Sequence, residues 1–481
     1  MRFQRLALTA VVTAVACATV TVAWAQDGSA GARPPSLTFG ACPAETGQPA
    51  SVGCDKVKVP LDYSKPKGRQ ITLTVSGAGS LSAKHFMLMN PGGPGASGIV
   101  NTQLVYSGLP EAVREQYAVF SFDPRGAGLS TPITCGNVSK IVTHPALPYR
   151  PGNAGQERRR TIQAQQIAKS CGKHAREFLP HMTLANEARD MDRIRIALGK
   201  DKLDYLGYSA GSQLGATYAT MFPRHTGRMI LDSVVDPTVS TYETGFQQNP
   251  AVQKRIDAMF AWTAARNQTY HLGTTRADVQ RTVNRVHAKL SARPAGGRAG
   301  ASELDDVLVT SMYAKSDWPD VMSIVKDYRR GDEGPLLAAT DQLAEQPIDP
   351  AQLAYNCTQP GWPRDWKTWH RDTARADRNA PSVAWLNTWY SAPCAFWPVK
   401  AVRPARIGSV KVPPILLINS RDDGATPLIG ARRMRAALPN SRLVIRGGGD
   451  HATYLSTKNR CLDTKATAYW LTGELPADGT C

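Results

Sequence analysis

Three residues far apart in the chain have the types needed for acyl transfer: Ser209, Asp423 and His451. Ser209 is the centre of Gly207-Tyr208-Ser209-Ala210-Gly211, a Gly-x-Ser-x-Gly pattern. In a chain with 40 glycines such a pattern can arise by chance, so its flanks decide. A serine hydroxyl is a weak nucleophile at neutral pH. It needs a base within hydrogen-bond reach, and that base needs a carboxylate to orient it. His451 closes the run Gly447-Gly448-Gly449-Asp450-His451, and Asp423 opens Asp423-Gly424-Ala425-Thr426-Pro427. His451 would take the Ser209 proton and return it to the leaving group, while Asp423 fixes the imidazole tautomer. Asp422, Asp232 and Asp236 are the alternative acids; His181, His85 and His225 read as structural or surface residues. An oxyanion needs N–H donors. Ala210, after the nucleophile, supplies one, and the Gly92-Gly93-Pro94-Gly95 turn supplies the other. Gly93 is chosen there because Pro94 has no N–H.

Each of these residues follows a segment that reads as a buried strand. Leu203–Leu206 precedes the serine, and Ser212–Phe222 reads as a helix stopped by Pro223. A strand turning at once into a helix pushes the serine up on a strained turn, the nucleophile elbow. Ile71–Val75 alternates apolar and polar residues, as a half-buried strand does. Further strands are expected at His85–Met89, Tyr117–Phe122, Met229–Val235, Pro414–Asn419 and Arg442–Ile445, and helices at Gln156–Ala175 and Leu184–Leu198. Strands alternating with helices imply a mostly parallel sheet covered on both faces, with its site beyond the carboxyl ends of the strands. The expected fold is therefore an α/β-hydrolase fold. From 239 to 405 the pattern turns helical (Val252–Ala264, Arg276–Leu290, Leu304–Tyr313) and then Trp-rich (Trp362–Trp397). That is too long for a loop in a compact domain, so it reads as a helical cap over the site. Within it, Ala295–Gly300 reads as a flexible connection. The core is then 26–238 plus 406–481.

The first 25 residues carry Arg2 and Arg5, an apolar run Leu6–Val22, and Ala23-Trp24-Ala25. That is a secretory signal peptide cleaved near Ala25; its apolar run is short of the ~20 residues of a membrane span. Cys17 lies inside the run and is a weak candidate for lipid attachment. Of nine cysteines, Cys17 leaves with the leader. The even remainder in an exported chain favours disulfides. Neighbouring couples suggest Cys42–Cys54, Cys135–Cys171, Cys357–Cys394 and Cys461–Cys481. No Cys/His spacing suits zinc, and no cofactor is expected. The net charge of +18 is scattered, Arg158–Arg160 being its longest run. It reads as a solvated basic surface rather than a nucleic-acid or membrane footprint. The chain is expected to act as a monomer, without a membrane anchor, on a peptide or small-molecule acyl substrate.

With these segments in place, Asn90-Pro-Gly-Gly-Pro-Gly, Phe122-Asp-Pro-Arg-Gly-Ala-Gly, the Ser209 elbow, Asp423-Gly-Ala-Thr-Pro and Asp450-His451 resemble the secreted tripeptidyl aminopeptidases of the proline iminopeptidase clan. So do Pro180-His-Met-Thr, Ala188-Arg-Asp-Met-Asp-Arg-Ile-Arg and Pro393-Cys-Ala-Phe-Trp-Pro. The match runs from about Cys42 to the C-terminus. The resemblance implies a capped α/β-hydrolase with its triad at Ser209, Asp423 and His451, releasing short peptides from free N-termini. It also implies a substrate-binding patch in the cap at Asn356, Gln359 and Trp397. Two departures stand out. The family elbow reads Gly-x-Ser-Tyr-Gly-Thr, whereas here the tyrosine precedes the serine and Ala210 follows it. Family members carry acidic residues beside the first cap cysteine to hold the substrate's ammonium group; the matching positions here are the neutral Asn356 and Gln359. A neutral amide binds an ammonium group more weakly than a carboxylate does. Asp349, Asp365 and Asp317 are candidate substitutes.

Three functions compete on this sequence: an aminopeptidase, an esterase, lactonase or amidase for neutral or N-blocked substrates, and a non-catalytic binding protein. The intact set Ser209, Asp423 and His451 disfavours the last.

Overall fold

The computed structural model describes residues 37–344 and 348–481. The signal-peptide reading and Cys17 lie outside the described residues. The sheet has ten strands: β1 (Gly40–Ala41), β2 (Val52–Pro60), β3 (Gln70–Ala78), β4 (His85–Asn90), β5 (Tyr117–Phe122), β6 (Leu203–Tyr208), β7 (Thr226–Asp232), β8 (Ile415–Ser420), β9 (Ser441–Arg446) and β10 (Gly479–Thr480). Their spatial order is β1-β2-β3-β5-β4-β6-β7-β8-β9-β10. From β5 to β10 all pairings are parallel, whereas β1, β2 and β3 pair antiparallel. The fold is thus a mostly parallel α/β-hydrolase sheet with an antiparallel extension at one edge.

Side chains alternate across a strand, and here the two faces bury separate cores. Phe86 and Leu88 of β4 join one core, packed on the helices Ala154–His174 and Leu184–Ala197. Met87 and Met89 join the other, packed on Arg460–Thr472 through Leu462, Tyr469 and Trp470. β6 and β8 are buried along their whole length. A strand covered on both faces must be apolar at nearly every position.

Between β7 and β8 the chain is helical, and it divides between two cores. Thr241–Ala264, Arg276–Ala292, Ala301–Thr310 and Trp318–Arg329 enclose their own apolar cluster around Ile256, Phe260, Val283, Leu304 and Met322. The later part, with Pro350–Thr358 and Trp366–Asp377, packs Tyr355, Trp362 and Trp369 on the core of the sheet. Trp362 and Trp369 stack at 5.7 Å, Trp366 and Trp389 at 4.7 Å. The Trp-rich run is therefore packing material. Ala295–Gly300, expected to be a flexible connection, is a closed turn. The Ala295 N–H donates to the Ala299 carbonyl at 2.8 Å, and both alanines are buried.

The cysteines form the four neighbouring pairs Cys42–Cys54, Cys135–Cys171, Cys357–Cys394 and Cys461–Cys481. They fit an extracellular protein. Among the described residues no helix is long and apolar enough to cross a membrane.

Candidate functional site

Ser209 sits between β6 and the helix Ala210–Met221 with φ 55° and ψ −124°. This is sparsely allowed backbone for a residue with a side chain. Gly207 makes the turn possible, because a Cβ there would lie 2.4 Å from the Gly211 carbonyl oxygen. The Ser209 N–H donates to the Asp232 carbonyl at 3.0 Å, tying the elbow to the end of β7.

The histidine loop is tied to the same point. The Tyr454 N–H donates to Asp232 Oδ2 at 2.6 Å, and the Ala452 N–H to Ser233 Oγ at 2.7 Å. Tyr208, just before the serine, donates its hydroxyl to the Tyr454 carbonyl at 2.9 Å. The loop after β9 is thus drawn across β8 toward the elbow, and His451 comes with it.

His451 Nδ1 lies 2.9 Å from Asp423 Oδ2 and 3.1 Å from Oδ1. The carboxylate also accepts from Ala425 N–H, Thr426 N–H and the Thr426 hydroxyl, each at 2.9 Å. Its side chain is 0% exposed and that of His451 8%. Burial pushes the imidazole pKa down, but the charge and hydrogen bond of Asp423, with Asp232 behind it, outweigh burial and raise it above its ordinary value. Asp423 therefore faces the nitrogen a catalytic aspartate should face. Ser209 Oγ makes no hydrogen bond to His451 in this structure and has no partner among the described residues. Such contacts tighten when substrate is bound.

Ser209 and Ala210 line a cavity of about 490 Å³ that Gly93 and Pro94 also border. Among the described residues, neither the Gly93 nor the Ala210 N–H donates to another group of the protein. Gly92 packs the two segments together: a Cβ on it would stand 2.9 Å from the Ala210 nitrogen. The cap side of the cavity includes Tyr313, Gln352, Asn356, Gln359 and Tyr390. Gln352 donates to the Gly93 carbonyl at 2.8 Å and accepts from the Tyr390 hydroxyl, so the helical segment between β7 and β8 reaches the Gly92–Gly95 turn directly.

The other candidates fall elsewhere. Trp397, expected over the substrate, does not line the cavity. It is 3% exposed in the core, held there by the packing of its apolar ring. Asp349, Asp365 and Asp317, the candidate substitutes, stand at helix N-termini. Asp349 accepts from Ala351 and Gln352, and Asp365 from Thr368. None of the three borders the cavity. Asp422 points away to Lys254 at 2.6 Å, and Asp236 pairs with Arg433 at 2.7 Å. Asp232 is buried beside the site, engaged by backbone. His85 stacks on Tyr117 near Asp204, and His225 contacts the Asp201 carbonyl. Half-buried His181 is pushed below its ordinary pKa by desolvation, and its carbonyl accepts from Arg125.

Two features escaped the sequence reading. Asp450 binds Arg255, Arg446 and the Lys315 N–H, joining the histidine loop to the cap. Only its place before His451 could have signalled this. The other is the acidic wall of the cavity, Glu303 and Asp306, which carries no motif.

The TAP-like protein family matches residues 381–481. A tripeptidyl aminopeptidase of Streptomyces lividans is 37% identical over 463 residues, covering 92% of this chain and 85% of that protein. Serine protease Hip1 of Mycobacterium tuberculosis is 31% identical over 465 residues, covering 90% of this chain and 87% of that protein. A carboxylesterase B of the same organism is 30% identical over 464 residues, covering 90% and 86%.

Proposed function

The chain belongs to the tripeptidyl aminopeptidase-like family of α/β-hydrolases and is a serine hydrolase; from that premise we propose an exported aminopeptidase that releases short peptides from free N-termini. Its triad is Ser209, Asp423 and His451. Its oxyanion donors are the N–H groups of Gly93 and Ala210. The observation that supports this reading most is the Asp423–His451 contact at 2.9 Å, tied by backbone to the strained Ser209 turn.

Ser209 Oγ attacks the acyl carbonyl as His451 Nε2 takes its proton. Gly93 and Ala210 hold the oxyanion, a contribution of roughly 3–4 kcal/mol per donor. His451 then protonates the leaving amine, and the peptide remains as an ester on Ser209. A water deprotonated by His451 hydrolyses that ester and frees the serine. The enzyme is exported after cleavage of its leader near Ala25 and acts as a monomer; the four disulfides support the export.

A second reading rests on Asn356 and Gln359. Both border the cavity and neither carries charge, which suits an ester or N-blocked amide. One panel separates the two: tripeptidyl anilides with a free amine, their N-acetylated forms, and simple aryl esters. The aminopeptidase reading expects kcat/KM at least tenfold higher for the free amine. A preference for blocked anilides or esters overturns it. Labelling by a fluorophosphonate, abolished in Ser209→Ala, tests the nucleophile separately.

A further inference from the structure

The residues matching the family's amine-binding acids are amides here, yet the substrate cavity is not without negative charge. Glu303 and Asp306 of the helix Ala301–Thr310 both border it, as do Ser209, Ala210 and Tyr313. The two carboxylates differ in what they have left to offer. Glu303 is consumed by structure. Its Oε1 accepts from the Ala146 N–H at 2.6 Å and lies 2.9 Å from His144 Nδ1, while Oε2 caps the helix at the Gly300 N–H. Asp306 accepts one hydrogen bond, from the Tyr149 hydroxyl to Oδ1 at 2.7 Å. Its Oδ2 has no partner among the described residues. The nearby cation, Arg160, is engaged by the carbonyls of Leu147 and Pro148 and lies over the Tyr149 ring.

We propose that Asp306 binds the α-ammonium group of the substrate. This rests on the aminopeptidase reading above and assigns the charge that Asn356 and Gln359 do not supply. Oδ1 stays on Tyr149, which orients the carboxylate, and Oδ2 takes the ammonium.

The carboxyl is primed for a cation. Burial, the Tyr149 bond working against it, and the charges of Asp305 and Glu303 leave it with a pKa raised to about 7. Arg160 offsets only part of this. Facing groups from the packed elements are Tyr149 and Arg160, with His144 acting through Glu303 and His287 and Arg150 through Asp305. Below pH about 7 Asp306 takes a proton and loses its hold. A peptide α-amino group loses its charge above about 7.7–8.0. Binding of free amines is therefore tightest between the two.

The test compares wild type, Asp306→Asn and Asp306→Glu on a tripeptidyl anilide with a free amine and on its N-acetylated form, from pH 6 to 8.5. Asparagine keeps the acceptor for Tyr149 and removes only the charge. Asp306→Asn should raise KM for the free amine at least tenfold at pH 7.5, change kcat less than threefold, and leave the acetylated substrate unaltered. It should also flatten the rise of KM below pH 7. Asp306→Glu should retain a preference for the free amine. If wild type prefers free amines and Asp306→Asn does too, the anchor is overturned while the aminopeptidase reading stands. Equal losses on both substrates mark a structural role and overturn it also. If wild type itself does not prefer free amines, both readings fall together.

Discussion

The backbone N–H of His451 donates to the carbonyl of Tyr313 at 2.7 Å, so the helical segment between β7 and β8 holds the histidine loop by its main chain. The adjacent Asp450 reinforces the join, with Oδ1 accepting from the Lys315 N–H at 2.8 Å and from Arg255 at 3.3 Å. Arg255, on the helix Thr241–Ala264, is buried, so losing its partner strands a charge. Asp450→Ala should cost on the order of 1–3 kcal/mol in denaturant unfolding. It should also lower kcat/KM roughly tenfold, because His451 loses its fixed orientation. Unfolding curves and steady-state rates on the same preparation read both. A variant with wild-type stability and activity would show that Asp450 does not join the two parts.

Asp232 lies behind the pair His451–Asp423, buried, its own pKa raised by burial to about 6. It helps raise the His451 pKa. General-base catalysis needs neutral His451, so kcat/KM falls as pH drops through that pKa. Removing a nearby negative charge makes imidazolium less favourable. Asp232→Asn should therefore shift the acid limb to lower pH, by less than about one unit, and keep an acceptor for the Tyr454 N–H. Asp423→Asn should instead cut kcat about 10⁴-fold by losing the orienting carboxylate. Two pH–rate profiles distinguish an electrostatic neighbour from the orienting acid.

What could be read in the chain, and what could not, divides along physical lines. Ser209, Asp423 and His451 each follow a short apolar strand at one sheet edge, and sequence carries that pattern. β2 went unread because Asp55 breaks its inward series, leaving only Val57 and Val59 alternating with Lys56 and Lys58. The helices Trp318–Arg329 and Pro350–Thr358 went unread inside the cap, where they pack mainly on other helices or on the sheet core. Trp397 was drawn toward the substrate by its motif, yet it packs in the core. Asp306 has no motif at all. Only the packing of its helix against the segment around Tyr149 brings it to the cavity wall.

Glu187 is fully buried below the oxyanion turn. It accepts from Asn90, whose own Oδ1 holds the Gly92 N–H at 2.9 Å. Its Oε2 has no hydrogen-bond partner among the described residues. Burial first, then Asp190, push its pKa up to about 8, against the opposing pull of Tyr355 and Arg125. Between the unfolded value near 4.3 and about 8 the folded protein binds the extra proton, so stability falls as pH rises through that window. Glu187→Gln keeps the acceptor for Asn90 and abolishes the titration. Its stability should be close to wild type near pH 5 and higher near pH 8, measured by denaturant midpoints. Equal pH dependence in both proteins would place the titration elsewhere.

Gly92 is where the oxyanion turn meets the elbow. Its φ is +102°, and a Cβ there would stand 2.6 Å from the Tyr208 carbonyl oxygen, 2.9 Å from the Ala210 nitrogen and 3.0 Å from Ser209 Cβ. The first two are backbone atoms and cannot swing aside. Alanine must therefore force the turn away from the elbow, separating the Gly93 and Ala210 N–H groups that have to converge on one oxygen. On the proposed reading the peptide's far end binds at Asp306, away from this turn. Gly92→Ala should accordingly lower kcat by about 10²–10³ with KM changed little. Phosphonylation of Ser209 should slow in parallel, since that reaction also places an oxygen in the hole. Thermal unfolding of the same sample guards against simple misfolding. If the variant is folded and keeps kcat within threefold of wild type, the turn after β4 does not supply the second donor.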